Sequence, residues 1–347
     1  VRASPLASGV LLALAAAVAF GVSTPLLHQF GAGVGPFATA CLLYLGAAGV
    51  ALLWPRRANA EAKLRAAYVP RLVLVALAGA VVAPVALAWG LQHADATSAS
   101  LLLNLEAAFT VLLAHVFFRE SVGRRVATAV ALMVVGGAVL VFASAAVTVK
   151  VTWGLAAVIL ATLAWSVDNT LTRPLADLDP MSVVASKSLL GAGLTALLAL
   201  SLREAMPEWR RALALVGCGA AGYGLSLRLY LLAQRRMGAG RTASVFAVAP
   251  FVGAGVAWAM GEGRASGATL VAGLLFIAAV YLHLTESHGH LHTHEQVEHE
   301  HAHRHDDGHH DHAHDYPVAG AHSHPHVHAR TTHQHEHAPD VHHVHRH

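Results

Sequence analysis

Residues 97–117 read TSASLLLNLEAAFTVLLAHVF. With histidine neutral, one charged side chain, Glu106, stands in 21 otherwise uncharged and mostly apolar positions. A helix that crosses the hydrocarbon core of a bilayer needs about 20 such residues. Working outward, runs of the same kind lie at 7–27, 35–54, 71–91, 125–144, 152–172, 181–201, 211–233, 242–261 and 266–285. The connectors are short and carry proline or clustered charge, as at Trp54-Pro55-Arg56-Arg57 and Asp179-Pro180. The first run follows Arg2 and could pass for a secretion leader. Its length and the nine runs after it make a retained span the expectation. The chain is therefore predicted to be an all-α membrane protein of about ten transmembrane helices.

Composition agrees. The 347 residues are 55% hydrophobic and 12% charged, where soluble domains run nearer 25% charged. Residues 1–287 carry 20 Lys+Arg against 11 Asp+Glu, whereas 288–347 carry 3 Arg, 9 Asp+Glu and 23 of the 27 His. The basic charge lies in the loops between apolar runs, which marks topology and argues against nucleic acid as a partner. With the N-terminus inside, 13 loop cations face the cytoplasm and 5 face outward. Ten spans then leave both termini, and the histidine tail, in the cytoplasm. Cys41 and Cys218 fall within apolar runs and are expected to pack as small hydrophobes.

The quoted stretch has an echo. Thr97-Ser98-Ala99-Ser100 opens a span that leads to Phe118-Arg119-Glu120, and Arg241-Thr242-Ala243-Ser244 opens one that leads to Met260-Gly261-Glu262. Gln92 and Gln234 precede these openings at nearly the same offset. Each half holds five spans, an odd number, so the second half sits inverted in the membrane. Inverted repeats characterise secondary transporters. The domain plan is a first five-helix repeat over 1–148, a second over 149–287, and a disordered histidine-rich tail over 288–347. Pro84 in the third span, and Gly217, Gly219, Gly222 and Gly224 in the eighth, predict interruptions at corresponding places.

The run Asn104-Leu105-Glu106-Ala107-Ala108-Phe109 through Arg119-Glu120, the Gly261-Glu262 ending and the duplicated ten-span plan resemble the EamA family of the drug/metabolite transporter superfamily. Trp165-Ser166-Val167-Asp168-Asn169-Thr170-Leu171-Thr172-Arg173, Lys187 and Ala249-Pro250-Phe251-Val252-Gly253 are similar to a bacterial branch that also ends in a histidine-rich tail. Ala107 departs from the family pattern, which has proline after the glutamate; here proline stands only in the second repeat, at Pro250. The resemblance implies export of small metabolites, without naming the substrate; alanine richness and the lack of an organelle address make a bacterial inner membrane the expected location.

Four ionisable residues fall within spans: Glu106, Asp168, Lys187 and Arg228. At a helix centre Asp, Lys or Arg each costs about 2.5–3.5 kcal/mol on an insertion scale, so such groups pair or line a pathway. Two acids and two bases suit mutual neutralisation. The midpoint between Asp168 and Lys187 falls within the short loop 173–180, which predicts a pair or a bridge through Asn169. Glu106 lies near mid-span, where it suits proton coupling or capture of a substrate amine; the bland alternative is a hydrogen bond to Thr110. His28, His93, His115 and His283 stand alone and are expected to be packed or interfacial. Trp89, Trp165, Trp258, Tyr223 and Tyr230 suit either a cavity wall or anchoring.

The tail alternates histidine with polar and acidic residues and cannot bury a core. Neutral imidazole suits Ni, Co, Zn and Cu, and His288, His290, His292, His294, His299, His301, His303, His305, His322, His324, His326 and His328 are the expected ligands of several labile sites. A pH response is the competing use, since imidazoles gain charge as pH falls through ~6.5. No cofactor is otherwise required. Expected partners are a small-molecule substrate, membrane lipid and divalent metal ions. The chain carries no phosphate-binding glycine loop and no nucleophile elbow, so it is expected to be neither an enzyme nor an ATP-driven pump. A divalent-cation transporter and a metal-responsive membrane sensor remain the alternatives to a metabolite exporter.

Overall fold

Without water, every backbone N–H and C=O in hydrocarbon must be satisfied within the protein, so apolar runs of this length fold as helices. The computed structural model describes residues 5–54, 64, 66–118, 122–145, 148–172, 175, 178–237, 239–262, 266–284, 288–294, 297–303, 322–328 and 331–337. Among these, nine helices are long and apolar enough to cross a membrane, and a tenth, Gly267–Leu282, is apolar but shorter.

In the first half, α1 (Pro5–Gly31) and α2 (Pro36–Leu53) are followed by a third span built from α3 (Val69–Ala76), a π-helical turn Leu77–Val82 and α4 (Ala83–Leu91). The fourth span is α5 (Ala96–Leu102) and α6 (Leu105–Phe118), and the fifth is α7 (Arg124–Ala145). The second half repeats the plan. It has α8 (Val149–Thr172), α9 (Pro180–Ser201), and an eighth span of α10 (Trp209–Gly219), a π-helical turn Ala220–Leu225 and α11 (Ser226–Met237). The ninth span is α12 (Ala239–Phe246) and α13 (Ala249–Ala259), and α14 (Gly267–Leu284) is last.

The third and eighth spans are thus interrupted in the same way, as the proline and the glycines predict. Pro84 has no N–H and crowds the carbonyl four residues back, and a widened turn before it relieves the crowding. The eighth span reaches the same turn through glycine. A Cβ on Gly219 would stand 1.9 Å from the Leu43 carbonyl oxygen, and one on Gly46 would stand 2.0 Å from that of Val216. These two glycines let α2 and α10 touch backbone to backbone. In lipid, where apolar burial offers helices no advantage over the acyl chains, such close approach supplies much of the attraction.

Helix α2 also packs on α9, α1 on α11 and α13, α4 on α8, and α7 on α14. The interior is rich in alanine (Ala13, Ala16, Ala17, Ala38, Ala47 and Ala51 are all fully buried). Leu197, Leu200, Leu213, Leu274 and Phe142 are exposed on the outside. That outward apolar surface is the lipid-facing side of a membrane protein.

In the tail, β1 (His288–His294) pairs antiparallel with β4 (Thr331–His337), and β2 (Val297–His303) with β3 (His322–His328). The alternation of histidine with other residues has a strand's period of two, which explains why pairing is available to a segment whose composition predicts no structure. Isolated two-stranded ribbons are marginal in water.

Candidate functional site

The fourth and ninth spans are each broken near their middle. Leu103 N–H bonds Ser100 at 3.2 Å and Asn104 N–H bonds Leu101 at 3.1 Å, tightening the last turn of α5 before α6 begins. In the ninth span Val248 N–H bonds Val245 at 3.3 Å before α13 begins with Pro250 in its first turn. Helix α5 packs along α13. Beyond the breaks the other halves part company: α6 lies on α7 and α8, and α12 on α1, α11 and α14.

Glu106 stands in the first turn of α6, immediately after the break. Its main-chain carbonyl accepts from Thr110 Oγ1 at 2.8 Å and from Ser166 Oγ at 2.9 Å. Thr110 therefore occupies the backbone of Glu106 and not its carboxylate. The carboxylate accepts instead from Asn169 Nδ2 at 2.7 Å, a contact from α6 to α8. Glu106 is half-buried and Asn169 exposed, although both lie within spans.

Asp168, one residue before, points elsewhere. Its carboxylate pairs with Lys187 Nζ and accepts from Thr172 Oγ1 at 3.2 Å. Asp168 is 4% and Lys187 8% exposed, so this is a buried ion pair. The two sit at one height across the α8–α9 hairpin, as their spacing about the loop implies. Asn169 does not bridge them; successive residues on a helix point about 100° apart, which sends it to Glu106. Gly79, in the first π-helical turn, makes room for the pair, since a Cβ there would stand 2.0 Å from Asp168 Oδ2. The widened turn also frees the Gly79 carbonyl, which accepts from Tyr44 Oη and from Trp165 Nε1 at 3.2 Å.

Arg228 does not join this pair. Its guanidinium carbon lies 3.5 Å from the centre of the Trp54 ring. The four ionisable groups thus form no single network: the flat, weakly hydrated guanidinium finds an aromatic face, and the hairpin sets Lys187 against Asp168. Between Trp165 and the second π-helical turn lies an aromatic cluster. Phe20 is central, with ring centres 5.7 Å from Trp165, 5.8 Å from Tyr223 and 5.6 Å from Phe246. Tyr230 meets Phe246 edge-on at 5.1 Å.

At the end where α5 meets α13, two groups carry contacts that the linear pattern leaves unseen. His28 Nδ1 is paired with Glu262, so His28 is no isolated packed histidine. Gly261 adopts a positive φ of 79°, and Glu262 N–H returns to the Ala257 carbonyl at 2.9 Å, the glycine cap that reverses a helix end. Thr97 Oγ1 donates to the Glu262 carbonyl at 2.6 Å, tying α5 to the same turn. Arg203, at φ 52°, turns the end of α9 likewise. Glu204 then accepts from the Ala38 N–H at 2.8 Å, capping α2 from a distant loop. The repeated helix-then-glutamate ending was the available signal for Glu262; for Glu204 there was none. His93 stacks on Trp89 with ring centres 4.2 Å apart, an ordinary packed histidine.

Among the described residues no group of three or more His, Cys, Asp or Glu is arranged to hold a metal. Of the tail histidines expected as ligands, His305 lies outside the described residues. The other eleven lie on β1, β2 and β3.

Residues 7–143 and 152–285 each match the EamA-like transporter family, one match per five-span half. An uncharacterized transporter of Methanothermobacter thermautotrophicus is 30% identical over 206 residues, 57% of this chain and 60% of that protein. The chain thus spans about 60% of the length of the curated relative it matches. A crystal structure of a further protein aligns over 81% of this chain and 98% of its own, with a TM-score of 0.57 and 19% identity, a likeness of fold.

Proposed function

The chain belongs to the EamA-like transporter family, and we propose that it is a secondary transporter exporting a small metabolite or a metal-linked solute by alternating access between its halves. The observation that carries this is the pair of broken helices. Their halves pack together on one side of the breaks and part on the other, and an ionisable group stands at the break. Discontinuous helices at corresponding places in inverted repeats are where transporters bind substrate and coupling ions. With the loop cations inside, the parted halves α6 and α12 face the cytoplasm and the packed pair α5 and α13 faces outward. Glu106 is then reached from the cytoplasm, as an exporter awaiting its load requires, in a bacterial inner membrane with both termini inside.

In this scheme Glu106 is the coupling or substrate-binding acid, oriented by Asn169. Asp168 and Lys187 hold the α8–α9 hairpin beside it, and Arg228 stands at the cytoplasmic mouth. The tail binds Ni, Co, Zn or Cu through its alternating histidines and holds them near that mouth.

Elemental analysis tests this in cells carrying the full chain, a truncation after Ser287, and Glu106→Gln, each challenged with nickel, cobalt, zinc and copper. The expected result is metal retention that follows the tail alone, with a Glu106-dependent change in extracellular metabolites. A single metal whose cellular content changes with the full chain and reverts in Glu106→Gln makes the core a divalent-cation transporter instead.

A further inference from the structure

Helices α1, α5 and α13 meet in one seam at the packed end of the molecule. A Cβ on Gly21 of α1 would stand 2.4 Å from the Ala249 carbonyl oxygen. One on Gly253 of α13 would stand 2.9 Å from both the Gly21 carbonyl oxygen and Ser100 Oγ of α5. The seam is tight, yet two of its hydroxyls are poorly served. Thr24 Oγ1, in a residue 1% exposed, and Ser100 Oγ, in one fully buried, have no hydrogen-bond partner among the described residues. A buried hydroxyl without a partner costs free energy that water would return, so the seam is biased towards opening. The contacts at its rim offset that bias. There His28 of α1 is paired with Glu262, through atoms shielded from solvent in side chains that are themselves 29% and 20% exposed. Thr97 Oγ1 of α5 donates to the Glu262 carbonyl at 2.6 Å, so the pair acts on all three helices.

We infer that this pair is a proton-binding latch on the outer mouth: a proton taken up by the His28 imidazole from the outer side ties α1 to the turn after α13 and holds the seam closed. The inference rests on the transporter proposal, which puts this end outside, and adds a regulator to it. Imidazole is the side chain that ordinarily changes charge between pH 5 and 8. With the proton bound, Nδ1–H donates to an ionised Glu262 as one ion to another, a bond about twice as strong as a neutral one. When the proton leaves to outer water, a neutral ring faces the carboxylate and the ion pair is gone. The latch therefore holds at lower outer pH and releases as that pH rises. The other titratable groups packed about this end of α1 are engaged elsewhere. Asp95 at the start of α5 accepts from the Ser98 N–H at 2.8 Å, and His93 after α4 meets the Trp89 carbonyl at 2.7 Å. On α10, Arg211 donates to the Ala32 carbonyl at 3.1 Å, and Arg210 lies over Trp209 behind Glu208 at the N-cap. Tyr223 meets Phe20 at the middle of α1, and the cations of α11 and α12 belong to its inner end.

Ser100→Cys places a thiol in the seam where no hydrogen bond is lost. The test is its rate of reaction with a membrane-impermeant maleimide, in the purified full-length chain in detergent, from about pH 5.5 to about 8.5. The unsubstituted chain is the blank for Cys41 and Cys218. Thiol ionisation also speeds labelling as pH rises, so each rate is divided by that of the same protein carrying His28→Gln. The ratio is expected to lie a few-fold below one at the acid end, as one partly exposed ion pair supplies, and to reach one at the alkaline end. Glu262→Gln is expected to label like His28→Gln at every pH. A ratio that stays constant with pH overturns the inference, as does a Glu262→Gln protein that labels like the intact one. If neither variant folds, hydrogen exchange of the intact chain decides. Protection of residues 257–262, corrected for intrinsic rates, is expected to fall across the same range, and constant protection overturns the latch. Metabolite export from cells at acid and alkaline outer pH separates the two proposals. A pH-dependent ratio without export keeps the latch and removes the transporter; export with a constant ratio does the reverse.

Discussion

Spans four and nine break at matching places, after Leu102 and after Phe246, but the residues that follow differ. The fourth continues Leu105-Glu106-Ala107 and the ninth Val248-Ala249-Pro250. In the fourth, the break presents a carboxylate to Asn169 on α8. In the ninth, it lets two helices close up: a Cβ on Gly21 of α1 would stand 2.4 Å from the Ala249 carbonyl oxygen. The halves share the break and differ at a single acidic position: one presents a carboxylate to a neighbouring helix, the other a closely packed backbone.

The sharpest way to break the comparison is to move the acid. Glu106→Ala combined with Ala249→Glu is expected to reduce to background the extracellular metabolite change expected of the intact chain, as is Glu106→Gln alone. Position 249 offers no Asn169, and its backbone is pressed on Gly21. Restored export in the swapped protein, measured by metabolite profiling of the medium, would make the two breaks interchangeable.

Next in size is the buried pair that fixes α8, and so Asn169, beside Glu106. Lys187→Met leaves Asp168 buried without its cation, a loss of about 3–5 kcal/mol for such pairs. Thermal denaturation in detergent is expected to show a large fall in Tm. Asp168→Leu with Lys187→Met should recover most of it, because two apolar groups need no partner. A double variant as unstable as the single one would point to a role for the charges beyond pairing.

A smaller effect is expected at Gly79, where alanine would drive a Cβ into Asp168 Oδ2. Displacements of this kind cost about 1–3 kcal/mol, read as a modest fall in Tm with export retained. A Gly79→Ala protein of unchanged Tm would mean that the pair shifts freely.

The smallest effect is expected at the packed end. His28→Gln loosens the link between α1 and the turn after α13, and a Cys introduced at Thr97 is expected to react a few-fold faster with a membrane-impermeant maleimide. Unchanged labelling would show that α5 and α13 hold that end closed without the pair.

Much of this was legible in one dimension. The span count, the duplicated half, the interruptions at Pro84 and at the glycines of 217–224, and the level of Asp168 with Lys187 follow from local hydropathy and from distance to a short loop. Both quantities are carried by neighbours in the chain. The pairing of His28 with Glu262 was not legible, because it joins residues whose spans lie at opposite ends of the sequence. Nor was the course of Arg228 to Trp54, or of Asn169 to Glu106 in place of Lys187. Charge balance says that buried ions want partners, but several partners satisfy it equally.

The sequence by itself determined that this chain crosses a membrane as two related sets of five helices and ends in a histidine-rich tail, because transfer into hydrocarbon is decided residue by residue. Only the tertiary structure decided which acid pairs with Lys187, which one Asn169 meets, and which halves of the broken helices are packed. Those depend on how helices turn about their axes and approach one another, and in lipid that is set by close packing of small residues such as Gly46 and Gly219 and by single hydrogen bonds.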